Sequence, residues 1–308
     1  MDITSYLNSL EDCREALIRF RRDLHRHPEP GWKEFYTTAR LIAALKDHGI
    51  PAKYGKEILH RDYLWGYPPQ KELDVCMERA VSQGADAGII KEMDGFTGAM
   101  AVIETGNPGP VTALRFDIDC NDVGEDMDPC RLPVKNGFSS ENCGCMHACG
   151  HDGHASLGLF VCMALNAIRK DLSGVIKVIF QPAEEHVIGS KAMIAEGALD
   201  GVDAIFGQHV WGTLDIPYID VTAGPRMAYS GRFTVDVIGT SSHAATPHLG
   251  ADAITGAAAI INNLQQYVSR MSNPLDPVVL TIGTISGGNR YNAIANHVTM
   301  EGVTRAYF

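Results

Sequence analysis

Nine residues, MHACGHDGH from Met146 to His154, bring together one cysteine, three histidines and an aspartate, with two glycines between them. Thiolate, imidazole and carboxylate are the donors that a borderline-soft divalent cation such as Zn2+ or Mn2+ takes. Two more polar groups stand in comparable places: Glu184 and Glu185 follow the apolar run VIKVIF, and His209 closes DAIFGQHV. Adjacent glutamates permit a division of labour. One can bind the cation, while the other accepts a proton from a water the cation polarises and passes it to a leaving amine, as hydrolysis of an amide requires.

Taken singly, each group has a plainer explanation. A Glu-Glu pair is usually a solvated face, His209 alone reads as a hydrogen-bonded histidine at a strand end, and Asp117 and Asp119 could cap a turn. Their shared position just after apolar runs favours a site. Two rivals use the cysteines. Cys143, Cys145, Cys149 and His151 could close a structural zinc knot, although the Cys-x-x-Cys spacing is absent. Cys149 could instead be a nucleophile paired with a histidine, which leaves the two glutamates without a task.

The elements that must position these residues are legible in the hydrophobic pattern. Leu7, Leu10, Leu17, Phe20 and Leu24 recur at helical spacing, predicting a helix over 5–26 that Pro28 and Pro30 stop, and EFYTTARLIAALKDHG predicts a second. The stretch 53–91, with LWGYPPQ and a helical KELDVCMERAVSQG, reads as an insertion wrapped on the surface. GAMAVIE, PVTALRFDID, GVIKVIF and VDAIFGQHV have strand length, and the helical GHASLGLFVCMALNAIRK and GSKAMIAEGAL separate the later ones. The fold class expected is α/β, a mixed and largely parallel sheet whose strand ends carry the polar groups. Beyond Trp211 a β-α-β-β run (GRFTVDVIG, ADAITGAAAIINNLQQYVSRM, PVVLTIGTI, HVTMEGVTRAY) predicts a smaller α+β domain. The boundary falls near 215–224, giving a catalytic domain over 1–218 and a lid over 219–308.

The 308 residues are 45% hydrophobic with a formal net charge of -11, which fits a globular fold and argues against nucleic-acid or anionic-membrane partners. No run approaches the ~18 apolar residues of a spanning helix, and the N-terminus lacks a signal-peptide core. A cytoplasmic protein is expected, its eight cysteines reduced or ligating metal.

At these residues the sequence resembles the dinuclear metallo-amidohydrolases that include aminoacylases, hippurate hydrolase, indole-acetyl-amino-acid hydrolases and aminobenzoyl-glutamate hydrolase. The resemblance runs through FRRDLHRHPEPGWKEF, ALRFDIDCNDV, MHACGHDGH, VIFQPAEE with GSKAMIAEGAL, GQHVWG and SSHAATPH, in the family's order. Within the family, the 53–91 insertion and CRLPVKNGFSSENCGCMHACGHDGH look like the A-subunit branch of the aminobenzoyl-glutamate hydrolases. The resemblance implies Cys149, His151, Glu185 and His209 as metal ligands, up to two Mn2+ or Zn2+ ions per subunit, Glu184 as general base and acid, and Asp119 as a residue that orients a ligand. It implies a ferredoxin-like lid that mediates a homodimer or heteromer, with His243, His248 and Asn292 contacting substrate. The implied reaction is hydrolysis of an N-acyl amino acid, p-aminobenzoyl-glutamate to p-aminobenzoate and glutamate, with hippurate-type substrates as the alternative.

Family members continue past the lid strand in which Phe308 falls and return to the catalytic domain with one last histidine ligand, so the chain reads as C-terminally truncated. His297 does not replace that ligand, because NHVTM matches lid strand sequence. The reading of another class is a non-catalytic remnant that binds metal or a partner subunit.

Overall fold

A computed structural model describes residues 13–186 and 188–307. It divides into two compact units between Asp215 and Ile216. The beginning of the first expected helix, with Leu7 and Leu10, lies outside the described residues; the helix itself, α1, is seen over Arg14–Arg26. Helix α2, Phe35–Asp47, ends where the sequence demands. Gly49 adopts φ 63°, and the Ile50 amide reaches back to the Leu45 carbonyl at 2.9 Å, the C-terminal turn that glycine alone enters without strain. The other end is capped from a distance, the Glu29 carboxyl accepting the Tyr36 and Thr37 amides at 2.9 and 3.0 Å.

The first unit is built on a five-stranded sheet in the order β1-β2-β4-β3-β5, from β1 (Ala52–Tyr54), β2 (Ala99–Glu104), β3 (Val111–Asp117), β4 (Val175–Gln181) and β5 (Ala204–Gly207). Strands β3, β4 and β5 run parallel, while β1 and β2 join antiparallel on one side, so the sheet is mixed. Register fixes the site. Asp117 pairs with Gln181, and Arg115 with Gly207, so the three parallel strands end side by side, and the loops beyond them carry Asp119, Glu184 with Glu185, and His209.

Between β3 and β4 runs a long helix, His151–Ala167, which begins with the histidine of the central motif. It packs so closely on the sheet that a Cβ on Gly158 would stand 2.7 Å from the Phe116 ring and 2.9 Å from Phe180. That close approach fixes the helix N-terminus at the strand ends.

The stretch 53–91 corrects one expectation. It holds α3 (Gln70–Ser82) and meets α4 (Ala87–Met93), and neither lies loosely on the surface: Leu73, Ala80 and Met93 have no exposed area and join the main core with Leu24, Leu41 and Phe180. Leu73, Cys76 and Ala80 form the apolar stripe that seats α3. Numbering in chain order, the His151–Ala167 helix is α5 and the short helix Gly189–Ala195 is α6.

The second unit contains β6 (Tyr229–Ile238), α7 (Ala253–Arg270), β7 (Val279–Gly287) and β8 (His297–Ala306), with an antiparallel sheet in the order β6-β8-β7. Ala253 and Ala257 seat α7 on Val298 and Met300. Among the described residues, no helix is long and apolar enough to cross a membrane.

Candidate metal centre

His151 is the hub. It is fully buried, and its Nδ1–H donates to the Asp119 carbonyl at 3.0 Å and to Asp119 Oδ1 at 3.3 Å, which fixes the tautomer and leaves the Nε2 lone pair free. Nε2 has no hydrogen-bond partner, and neither has Glu185 Oε1, a buried carboxylate oxygen 3.7 Å away. Two buried polar atoms that face each other without a hydrogen bond are costly unless a proton or a cation sits between them. Cys149, His151 and Glu185 each offer a donor atom, all within 4.8 Å of one another, and the same holds for Asp117, His151, His154 and His209. His151 therefore belongs to both groups. The mixture of sulfur, imidazole and carboxylate fits a borderline-soft divalent ion.

The electrostatics point the same way. Burial works to lower the His151 pKa, yet the bond to Asp119 and the charges of Asp117, Asp119 and Glu185 push it up to about 9. The surplus negative charge that favours a proton there favours a cation equally. Burial, with Glu185 beside it, pushes the Cys149 thiol up to about 11, the opposite of what a free thiolate nucleophile needs. The zinc-knot reading also fails among the described residues, since the groups able to share an ion include Cys149 but neither Cys143 nor Cys145.

Of the residues expected from sequence, Cys149, His151 and Glu185 share one cluster, and His209 joins His151 in the other, the two rings 5.5 Å apart. Glu184 Oε2 lies 3.9 Å from His151 Nε2, and its side chain is 35% exposed, open to a ligand yet close to the cluster. Burial, helped by the charges of Asp117 and Asp119, raises its pKa above the ordinary carboxylate value, which suits a group that must both take and give a proton. Asp119 touches His151 through one oxygen and accepts the Glu185 amide with the other at 2.9 Å. His243, His248 and Asn292 are exposed positions of the second unit; the Ala245 amide donates to His243 Nδ1, and His243 bridges Ala293, next to Asn292. His297 donates to Asp236 within the second sheet.

Two residues of the cluster lie outside the ligand set that the resemblance implies. His154 Nδ1–H donates to Asp117 at 2.5 Å, and its Nε2 accepts the Val210 amide at 2.9 Å. Both nitrogens are thus engaged, and His154 ties β3 to the loop that carries His209. Asp117 also accepts Arg115 Nη1 at 2.6 Å; these partners overcome the effect of burial and hold its carboxyl down at about 2. The signal was present in the spacing. His151 and His154 stand one turn apart on a helix, and Asp117 and Asp119 fall two apart at a strand end, so each pair shares a face.

A mixed α/β sheet whose parallel strand ends gather cation donors around a free carboxyl defines a metal-dependent hydrolase scaffold. Residues 113–304 match the model of peptidase family M20/M25/M40, and the chain belongs to that family, whose members are metal-dependent hydrolases. It is 39% identical over 259 residues to the A subunit of p-aminobenzoyl-glutamate hydrolase from Escherichia coli, covering 83% of this chain and 58% of the relative. It is 35% identical over 288 residues to a homologue of that protein from Haemophilus influenzae, covering 92% and 67%. Among solved structures, a dinuclear metal-binding peptidase of the M20 family from Bacillus subtilis superposes with a TM-score of 0.67 at 30% identity, covering 97% of this chain and 65% of that one. The chain thus spans roughly three fifths to two thirds of the length of these relatives.

Proposed function

We propose that this chain carries the cation-binding and proton-transfer machinery of an amidohydrolase acting on N-acyl amino acids, with p-aminobenzoyl-glutamate as substrate. The observation that carries the reading is the facing pair of buried atoms without a hydrogen bond, His151 Nε2 and Glu185 Oε1, with the Glu184 carboxyl beside them. Cys149, His151, Glu185 and His209 would hold the cation, Mn2+ or Zn2+, with room in two overlapping donor groups for up to two ions. When bound, the cation supplies Lewis acidity to the scissile carbonyl and to the attacking water. Asp119 fixes the His151 ring and the Glu185 backbone, and His154 anchors the loop carrying His209. Glu184, its carboxyl pKa raised, takes the proton of the attacking water and delivers it to the departing amine.

The named relatives support the aminobenzoyl-glutamate assignment, hippurate-type substrates being the alternative. That they are A subunits supports a partner subunit, and we assign the second unit to subunit contact, with His243, His248 and Asn292 touching substrate. We assign the reaction to the cytoplasm, in folate breakdown, as part of the same reading.

The test is release of p-aminobenzoate from p-aminobenzoyl-glutamate by the purified protein with Mn2+, beside Glu184→Ala. Loss of the general base should lower the rate by about 100-fold or more. Equal rates would remove the enzyme reading and leave the non-catalytic, metal- or partner-binding one.

A further inference from the structure

The Glu184 carboxyl takes no hydrogen bond from a described residue, so the backbone of its own turn must aim it. That turn is held with unusual thoroughness. Ala183, the residue before Glu184, is fully buried and sits at φ 51°, the left-handed region that a residue with a Cβ enters only under constraint. The space around it is closed: a Cβ on Gly98 would stand 2.7 Å from the Pro182 ring, one on Gly189 1.7 Å from the Pro182 carbonyl, and one on Gly31 3.0 Å from Ala183 Cα. What fixes the peptide itself is Glu34, 149 residues earlier in the chain and without exposed area. Its Oε1 accepts the Ala183 amide at 2.7 Å, and its Oε2 accepts the Thr97 hydroxyl at 2.6 Å. On the other side of Glu184, Asp119 accepts the Glu185 amide at 2.9 Å.

We propose that Glu34 is a positioning residue for the proton carrier: with Asp119 it grips the two amides flanking Glu184, and through the Ala183 amide it sets the direction of the Glu184 side chain. The proposal rests on the hydrolase reading for its consequence, since the aim of Glu184 matters only where Glu184 transfers protons. Asp119 alone can hold Glu185, so loss of Glu34 should disturb the proton carrier far more than the ligand next to it. Burial and the neighbouring Asp119 charge push the Glu34 carboxyl up to about 8, against the opposing effect of the hydrogen bonds from Thr97 and Ala183. A glutamine can make both contacts, its carbonyl accepting the Ala183 amide and its NH2 donating to Thr97. A methionine fills the volume and makes neither.

The experiment compares Glu34→Met, Glu34→Gln and wild type by two readouts. Hydrogen exchange of the 182–186 segment, in protein without added metal, should be ~10-fold faster in Glu34→Met, the worth of one buried hydrogen bond. It should be near wild type in Glu34→Gln, with β3 and β4 unchanged in both. In Mn2+-loaded protein, Glu34→Met should lose ~10- to 100-fold in kcat, with KM and Mn2+ affinity within about 3-fold, because a shift of order 1 Å at the proton carrier acts on the chemical step. Glu34→Gln should recover most of that loss. Unchanged exchange at 182–186 in Glu34→Met, wild-type kcat in that variant, or an equal kcat loss in Glu34→Gln would each overturn the proposal. Should wild type itself hydrolyse nothing, the hydrolase reading falls, while the exchange result still decides whether Glu34 holds the turn.

Discussion

His154 offers the sharpest separation between a residue that binds a cation and one that places the binders. It belongs to a group of four donors able to share an ion, yet its two nitrogens are occupied by Asp117 and by the Val210 amide. Replacing it with leucine removes a buried hydrogen bond to a carboxylate, worth about 1.5–3 kcal/mol, while the Val210 amide lies near enough to the surface for water to take over. At roughly 2–4 °C per kcal/mol for a protein of this size, His154→Leu should melt about 3–12 °C lower. Its effect on the cation is indirect, through the loop that carries His209, whose ring packs 4.6 Å from that of His154. Losses through such supporting contacts run at about 10- to 100-fold in metal affinity, whereas His151→Ala, which deletes the shared donor, should abolish binding. Thermal melts paired with calorimetric Mn2+ or Zn2+ titration read both quantities. If His154→Leu abolishes binding as His151→Ala does, His154 is a ligand and the reasoning from its occupied nitrogens is wrong; an unchanged affinity would make the link to His209 idle.

The imidazole of His25 donates to Asp152 at 2.8 Å and to Glu125 at 3.0 Å, and these bonds raise its pKa despite the opposing effect of burial. Its stabilisation is therefore complete below the unfolded value of 6.5 and disappears as the pH rises through the folded value, so the melting temperature should fall on the alkaline side. His25→Gln should lose ~1.5–3 kcal/mol at pH 6 and flatten that limb, and identical pH slopes in the two proteins between about pH 6 and 9 would contradict the assignment. Glu29→Ala strips the cap from α2 and leaves two buried amides unpaired, an expected loss of about 2–5 kcal/mol in urea unfolding. A loss below about 1 kcal/mol would show that other groups satisfy those amides.

The site was readable in the sequence to the extent that it depends on strand ends. Polar residues directly after apolar, β-branched runs had to gather wherever parallel strands stop together, and the register of β3 with β4 and β5 is what gathers them. The pairing partners were another matter. Nothing local distinguishes a histidine that offers a lone pair, like His151, from one whose nitrogens are both taken, like His154; the difference lies in a carboxylate and an amide from distant segments. Glu34 was invisible for the same reason, its task being set by an amide 149 residues away. In the 53–91 stretch the turn residues, Gly66 and the Pro68-Pro69 pair, suggest a surface loop, while the stripe of Leu73, Cys76 and Ala80 decides where α3 packs. Length and loop chemistry said insertion, but the stripe buries itself in the core.

The central claim is that donors from separate loops share one cation, and Cys149 makes it directly testable because it contributes the only sulfur in the shared-donor groups found among the described residues. X-ray absorption of the Zn2+-loaded protein should show one sulfur at about 2.3 Å together with nitrogen and oxygen scatterers near 2.0–2.2 Å. In Cys149→Ser the sulfur should vanish while the lighter shell remains. A wild-type shell without sulfur, or a sulfur that persists in Cys149→Ser, would contradict the account.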